Sequence, residues 1–114
     1  MQVIKLYLPM KDNDGNDLMS LHDRFINDIR DVRENGNVAR ISGFTRFQAE
    51  GFWFDGEQAY VDDIKIYEFH VENKHFGGAS AYLWNQAYQL CNDMKQECIY
   101  LQLNNDTELV KKYG

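Results

Sequence analysis

The sequence predicts an α+β fold of ferredoxin-like type: β-α-β-β-α-β, with two helices on one face of a four-stranded antiparallel sheet. Three observations carry this. Apolar residues recur at period two or at the helical period, in that order of elements. Each helical segment shows a single apolar stripe, so each buries only one side. The 114 residues contain one proline and no linker, repeat or low-complexity tract, so one continuous domain over 1–114 is expected.

The first strand is Val3 to Leu8, where Ile4, Leu6 and Leu8 alternate with Lys5 and Tyr7. Pro9 closes it, having no N–H for a neighbouring strand. The polar run from Lys11 to Asp17 is turn chemistry, and Asp17 is placed to cap a helix. That helix carries Leu18, Leu21, Phe25, Ile29 and Val32 on one stripe. Asn35-Gly36 ends it, because glycine tolerates the left-handed conformation found at helix C-termini.

Phe44 to Phe54 is crowded with Phe44, Phe47, Phe52, Trp53 and Phe54, residues that suit a pleated surface. Gly51 within it indicates a bulge or a close approach to the backbone. Asp55-Gly56 favours a type I′ turn, returning the chain through Gln58 to Val71. On the return, Ile64 and Ile66 share one face while Tyr67, Phe69 and Val71 share the other. A bulge at Ile66-Tyr67, or cover on both sides of the sheet, explains that switch. Gly77-Gly78 leads into a second helix, Ala79 to Lys95, with Leu83, Trp84, Ala87, Tyr88, Cys91 and Met94 as its apolar face. A last strand alternates Ile99, Leu101 and Leu103 with Tyr100 and Gln102. The polar tail from Asn104 to Gly114 is expected on the surface.

Twelve Lys and Arg against eighteen Asp and Glu give a net charge of −6. Such a field disfavours nucleic-acid phosphates and anionic lipid. No apolar run approaches a membrane span, and Met1 to Tyr7 lacks the basic head and cleavage site of a signal peptide. The expected location is the cytoplasm, with no membrane partner. Cys91 and Cys98 lie among apolar neighbours and read as small core residues; their spacing is no zinc motif.

Candidate chemistry is sparse. Asp12, Asp14, Asn16 and Asp23 imitate a calcium loop, but Asp17 stands where the loop needs glycine and Asp23 where it needs a bidentate glutamate. A turn with a helix cap accounts for them. Glu68, His70 and Glu72 would share one side of a strand, with His75, Asp62 and Asp63 nearby, a set able to bind a metal or move protons. No HxH, HExxH or CxxC pattern accompanies it, and no metal is expected. His22 sits beside Leu21 and needs no chemical role. Ser20, Ser42 and Ser80 lack a nucleophile context, and no phosphate-binding glycine loop exists. Gly77-Gly78 could leave N–H groups facing an anion, though a glycine pair there is ordinarily a lead-in. Phe44, Phe47, Phe52, Trp53, Tyr60 and Tyr67 could stack bases, but Arg40, Arg46 and Lys65 are outnumbered by acids, so core packing explains them more cheaply.

The run from Gly43 to Trp53, then Asp55-Gly56 and Tyr60-Val-Asp-Asp63, resembles a group of small bacterial and phage proteins with no assigned reaction. Their opening strand reads like Lys5-Leu-Tyr-Leu-Pro9. The similarity covers most of residues 3 to 72, and Gln48 departs from it where proline is expected. It implies a ferredoxin-like α+β domain that often self-associates.

The aromatic residues of both parities in the hairpin make the helix-free face of the sheet apolar, and such a face on a small protein calls for a partner. The expectation is therefore a non-catalytic binding module, phage or mobile-element encoded, that sequesters a host protein or small nucleotide signal without a cofactor. Its contacts are Phe52, Trp53 and Tyr67 with Asp62 and Asp63, and it forms a homodimer or higher oligomer. The alternatives are a small dimeric enzyme using His70, Glu68 and Tyr67 as proton carriers, and a purely structural oligomer subunit.

Overall fold

The computed structural model of the chain describes residues 1–34 and 41–111. Its elements follow the order β1 (Gln2–Pro9), α1 (Met19–Glu34), β2 (Phe44–Asp55), β3 (Gln58–Val71), α2 (Phe76–Asp93), β4 (Cys98–Leu103) and β5 (Asp106–Lys111), with a short 3-10 turn at Asn73–His75 before α2. All strand pairs are antiparallel, and the sheet order is β2-β3-β1-β4-β5. The described residues thus form an α+β fold with two α-helices and five strands, where the sequence predicts four strands. The additional strand is β5, in the stretch read as a surface tail. Asn104 takes a φ of 56°, which asparagine tolerates better than most residues. That lets a two-residue loop pair Leu103 with Asp106 and bury Val110 under α2.

Alternation decides which face each strand buries. Ile4, Leu6 and Leu8 of β1, Tyr67, Phe69 and Val71 of β3, and Ile99 and Leu101 of β4 pack against Leu18 just before α1, Phe25 and Ile29 of α1, and Ala79, Leu83, Ala87, Leu90 and Cys91 of α2. Both helices therefore sit on one face. Asp17 caps α1 as predicted, its carboxylate accepting the Met19 N–H at 2.8 Å. The Asp12 carboxylate accepts the N–H groups of Asp14 and Asn16, each at 2.9 Å, which makes the acidic run a turn. The Asn35-Gly36 stop lies outside the described residues. Gly77 and Gly78 lie inside the first turn of α2 and do not lead into it. The helix ends with Lys95 at φ 55°, where Lys95 and Gln96 donate N–H groups back to Asn92 and Cys91.

The hairpin departs from its predicted turn type. Asp55 pairs with Gln58, so the loop is Gly56-Glu57; Gly56 has φ +61° while Glu57 keeps a negative φ. Those signs belong to the type II′ turn, with glycine first, whereas type I′ needs both residues positive. Registers through Gly51 and through Ile66-Tyr67 are unbroken, so neither is a bulge. Cover on both sides explains the parity switch instead. β1 stops at Pro9, opposite Ile64, but β2 and β3 run on as a two-stranded arm.

Among the described residues no helix is long and apolar enough to cross a membrane.

Candidate functional site

The helix-free face carries Tyr7 of β1, Phe47 and Trp53 of β2, Ile64 and Ile66 of β3, and Tyr100 and Gln102 of β4, as strand register requires. Its apolar centre is covered in part by the chain itself. The arm curls so that Trp53, from the edge strand, reaches past β3 and β1 to Tyr100 on β4. The two rings stack with centroids 4.9 Å apart and planes within 7°. Gly51 makes this possible, since a Cβ there would stand 3.2 Å from indole atoms of Trp53. The close approach that the glycine signalled is that of its own neighbour's ring.

Beneath the arm lies a groove of about 580 Å³, within the range of small-ligand sites. Tyr7, Trp53, Tyr60 and Tyr100 supply rings, and Asp55, Asp62 and Glu97 supply carboxylates. Pro9, Ile64 and Cys98 close its apolar floor. Among the described residues that line it, none is lysine or arginine. Tyr7 meets Tyr100 edge to face, and its hydroxyl donates to Gln102 Oε1 at 3.1 Å. The Tyr60 hydroxyl donates to Gln58 Oε1 at 2.6 Å. Aromatic faces and carboxylates together favour an organic cation, by ring quadrupole and by charge.

Of the five residues singled out from sequence, Trp53 and Asp62 line the groove. Phe52, 57% exposed, faces away on the back of the arm beside Val61. Asp63 is exposed, and its carbonyl accepts the Met10 N–H at 3.0 Å. Tyr67 is fully buried in the core. Glu68 and His70 point to the opposite face from Tyr67, so the proton-carrier trio does not assemble. Instead Glu68 lies 3.6 Å from both Lys5 and His70. Glu72 falls beyond the end of β3 and pairs with Lys74. Among the described residues no group of three or more His, Cys, Asp or Glu is placed to hold a metal.

Four groove residues went unread. Tyr7 and Tyr100 alternate with buried leucines and isoleucines, and that parity puts both on the helix-free face. Asp55 ends β2 and Glu97 lies in the α2–β4 link, and only the folded arm and that link decide their positions. Cys98, read as core, is a half-buried groove residue.

His22 takes a structural place behind the groove. It is fully buried, with Nε2 2.8 Å from the Pro9 carbonyl and Nδ1 2.7 Å from the Tyr67 hydroxyl. A carbonyl only accepts, so Nε2 carries the proton and Nδ1 accepts from Tyr67. Arg46 donates in turn to the Tyr67 oxygen at 3.4 Å. Burial holds the imidazole pKa below its usual value and pushes the Tyr67 phenol above its own. This chain fixes Pro9, and with it one edge of the groove, to the core.

No family model and no curated protein match the chain. Among solved structures it is similar to a phage SAM lyase in complex with S-methyl-5′-thioadenosine, with a TM-score of 0.61 at 13% identity, over 99% of this chain and 92% of that one. The phage SAM lyase in its apo state gives 0.60 at 11% identity, over 99% and 90%. The expectation of a non-catalytic binding module is corrected here, since the fold is one that an enzyme carries. Missing nucleophile and metal motifs therefore do not separate this fold from catalysis.

Proposed function

We propose that the chain is a lyase acting on S-adenosylmethionine, or on a close sulfonium nucleoside, in the groove beneath the hairpin arm. The observation that carries this reading is the groove lining, four aromatic rings and three carboxylates without a cation, on a fold shared with a phage SAM lyase. The same likeness favours a phage or mobile-element origin. Strands β2-β3-β1-β4 read as a ferredoxin-like sheet to which β5 is added.

The chemistry suits a chain without catalytic motifs. A sulfonium brings its own activated leaving group. When a carbon–sulfur bond breaks, its electron pair returns to sulfur and a neutral thioether departs. A lyase adds no water, so the electron pair that completes the vacated carbon comes from within the substrate. Positive charge fades at sulfur as the bond lengthens, and aromatic walls that keep water away favour that change. Asp62 attracts the sulfonium, and Glu97 docks the ammonium group of the same ligand. A unit charge about 4 Å from one carboxylate gains roughly 1 kcal/mol in water and about 4 kcal/mol near a protein surface.

Incubating the purified chain with S-adenosylmethionine and resolving the products by chromatography tests the reading. S-methyl-5′-thioadenosine should accumulate over many turnovers. Intact S-adenosylmethionine at stoichiometric protein would refute it.

A further inference from the structure

We propose that Trp53 and Tyr100 form a clamp for the planar base of the ligand, with Trp53 as its moving jaw. The inference rests on the reading above, that an adenosyl group enters the groove, and names the residues that hold its base. Trp53 belongs to an edge strand and Tyr100 to a strand three places away, so the arm's curl makes their contact, not strand pairing. A purine slotted between parallel rings needs about 7 Å between the outer planes, twice the ~3.5 Å contact distance of carbon atoms, so two rings now stacked on each other must part by about one further ring thickness, ~3.5 Å.

The arm can supply that displacement. Among the described residues, the backbone of 51–62 pairs only within the hairpin. Lifting it breaks the ring stack and no strand bonds to the rest of the sheet. Gly51 seats the jaw, because without a side chain the indole lies flat along its strand. The stack also hides two apolar ring faces from water while the groove is empty. A purine restores that cover on both faces when it enters, so opening the arm costs little contact. The carboxylates then meet the cationic end of the same ligand, and the clamp meets its neutral base.

The test uses Trp84→Phe, which leaves Trp53 as the one tryptophan of the two in the chain. Titration with S-methyl-5′-thioadenosine should change Trp53 emission saturably. By calorimetry, Trp53→Leu and Tyr100→Leu should each weaken binding on the order of five- to hundredfold, the range for losing one base–aromatic stack. Calorimetric binding with unchanged Trp53 emission would overturn the clamp. So would both leucine variants binding within about twofold of the parent. The emission readout keeps both rings in place, so a leucine variant that fails to fold does not blunt the test. Turnover of S-adenosylmethionine by the unaltered chain separates the two claims. Turnover with an unchanged clamp signal refutes the clamp alone, and neither turnover nor binding refutes the function beneath it.

Discussion

Replacing Tyr67 by phenylalanine removes one oxygen from the interior and leaves His22 with an unmet acceptor. The Pro9 carbonyl fixes the imidazole tautomer, so Nδ1 cannot become a donor without surrendering Nε2. His22 is fully buried, and a buried acceptor stripped of its partner costs about 1–3 kcal/mol. For a domain of this size that corresponds to a fall in Tm of roughly 4–12 °C. Urea unfolding of Tyr67→Phe at pH 7.5, beside the unaltered chain, measures it. The double variant His22→Leu/Tyr67→Phe should lose less than the two single losses summed, because neither partner is then stranded. A Tyr67→Phe chain within about 0.5 kcal/mol of wild type would refute the reasoning, since surface changes alone span that range. The same histidine gives stability a pH dependence. Its folded pKa lies below the unfolded value of 6.5, so its contribution is complete above that pH and is lost as pH falls toward the folded pKa. The slope there is at most about 1.4 kcal/mol per pH unit, and Tyr67→Phe should alter it.

Other consequences are simpler to check. Val110→Ala removes two buried carbon groups and should cost about 1.5 kcal/mol in chemical denaturation, whereas a surface tail would show no change. Lys95→Gly relieves a left-handed residue at the end of α2 and should stabilise the chain by about 0.5–1 kcal/mol in the same assay. We further propose that self-association runs through the apolar back of the arm, where Phe54 is 80% exposed and lies opposite Ala59 beside the Phe52–Val61 pair. Phe54→Ser should then reduce the apparent mass in light scattering, and an unchanged mass would dismiss that face.

Of the six predicted elements, β1, α1, α2 and β4 were legible by periodicity, and β2 and β3 by their aromatic residues and the Asp55-Gly56 turn between them. β5 was hidden because Val110 is its one buried residue and its turn relies on Asn104 with no glycine. His22 was within reach of a stricter reading, since Leu18, His22, Phe25 and Ile29 follow the helical spacing and Leu21 lies beside that line. Tyr67 was misplaced for a different reason. It shares its parity with Phe69 and Val71, opposite Glu68 and His70, but the buried Ile64 and Ile66 on the other parity blur which face is inward. The groove was half legible. Register alone places Tyr7, Tyr100 and Asp62 on one face, but the curl that brings Trp53 over them depends on β1 ending before β2 and β3 do. That is a difference in strand length, which local sequence reports poorly.

One comparison bears most directly on whether an anionic, ring-lined groove selects a sulfonium. It sets the KM for S-adenosylmethionine against the competitive inhibition constant of S-adenosylhomocysteine, which keeps every group except the methyl that makes sulfur cationic. The neutral thioether should bind at least about fivefold more weakly, given roughly 1–4 kcal/mol for a charge near one carboxylate, and Asp62→Asn should narrow that gap. Equal constants in the unaltered chain, or a gap that Asp62→Asn leaves untouched, would contradict the account.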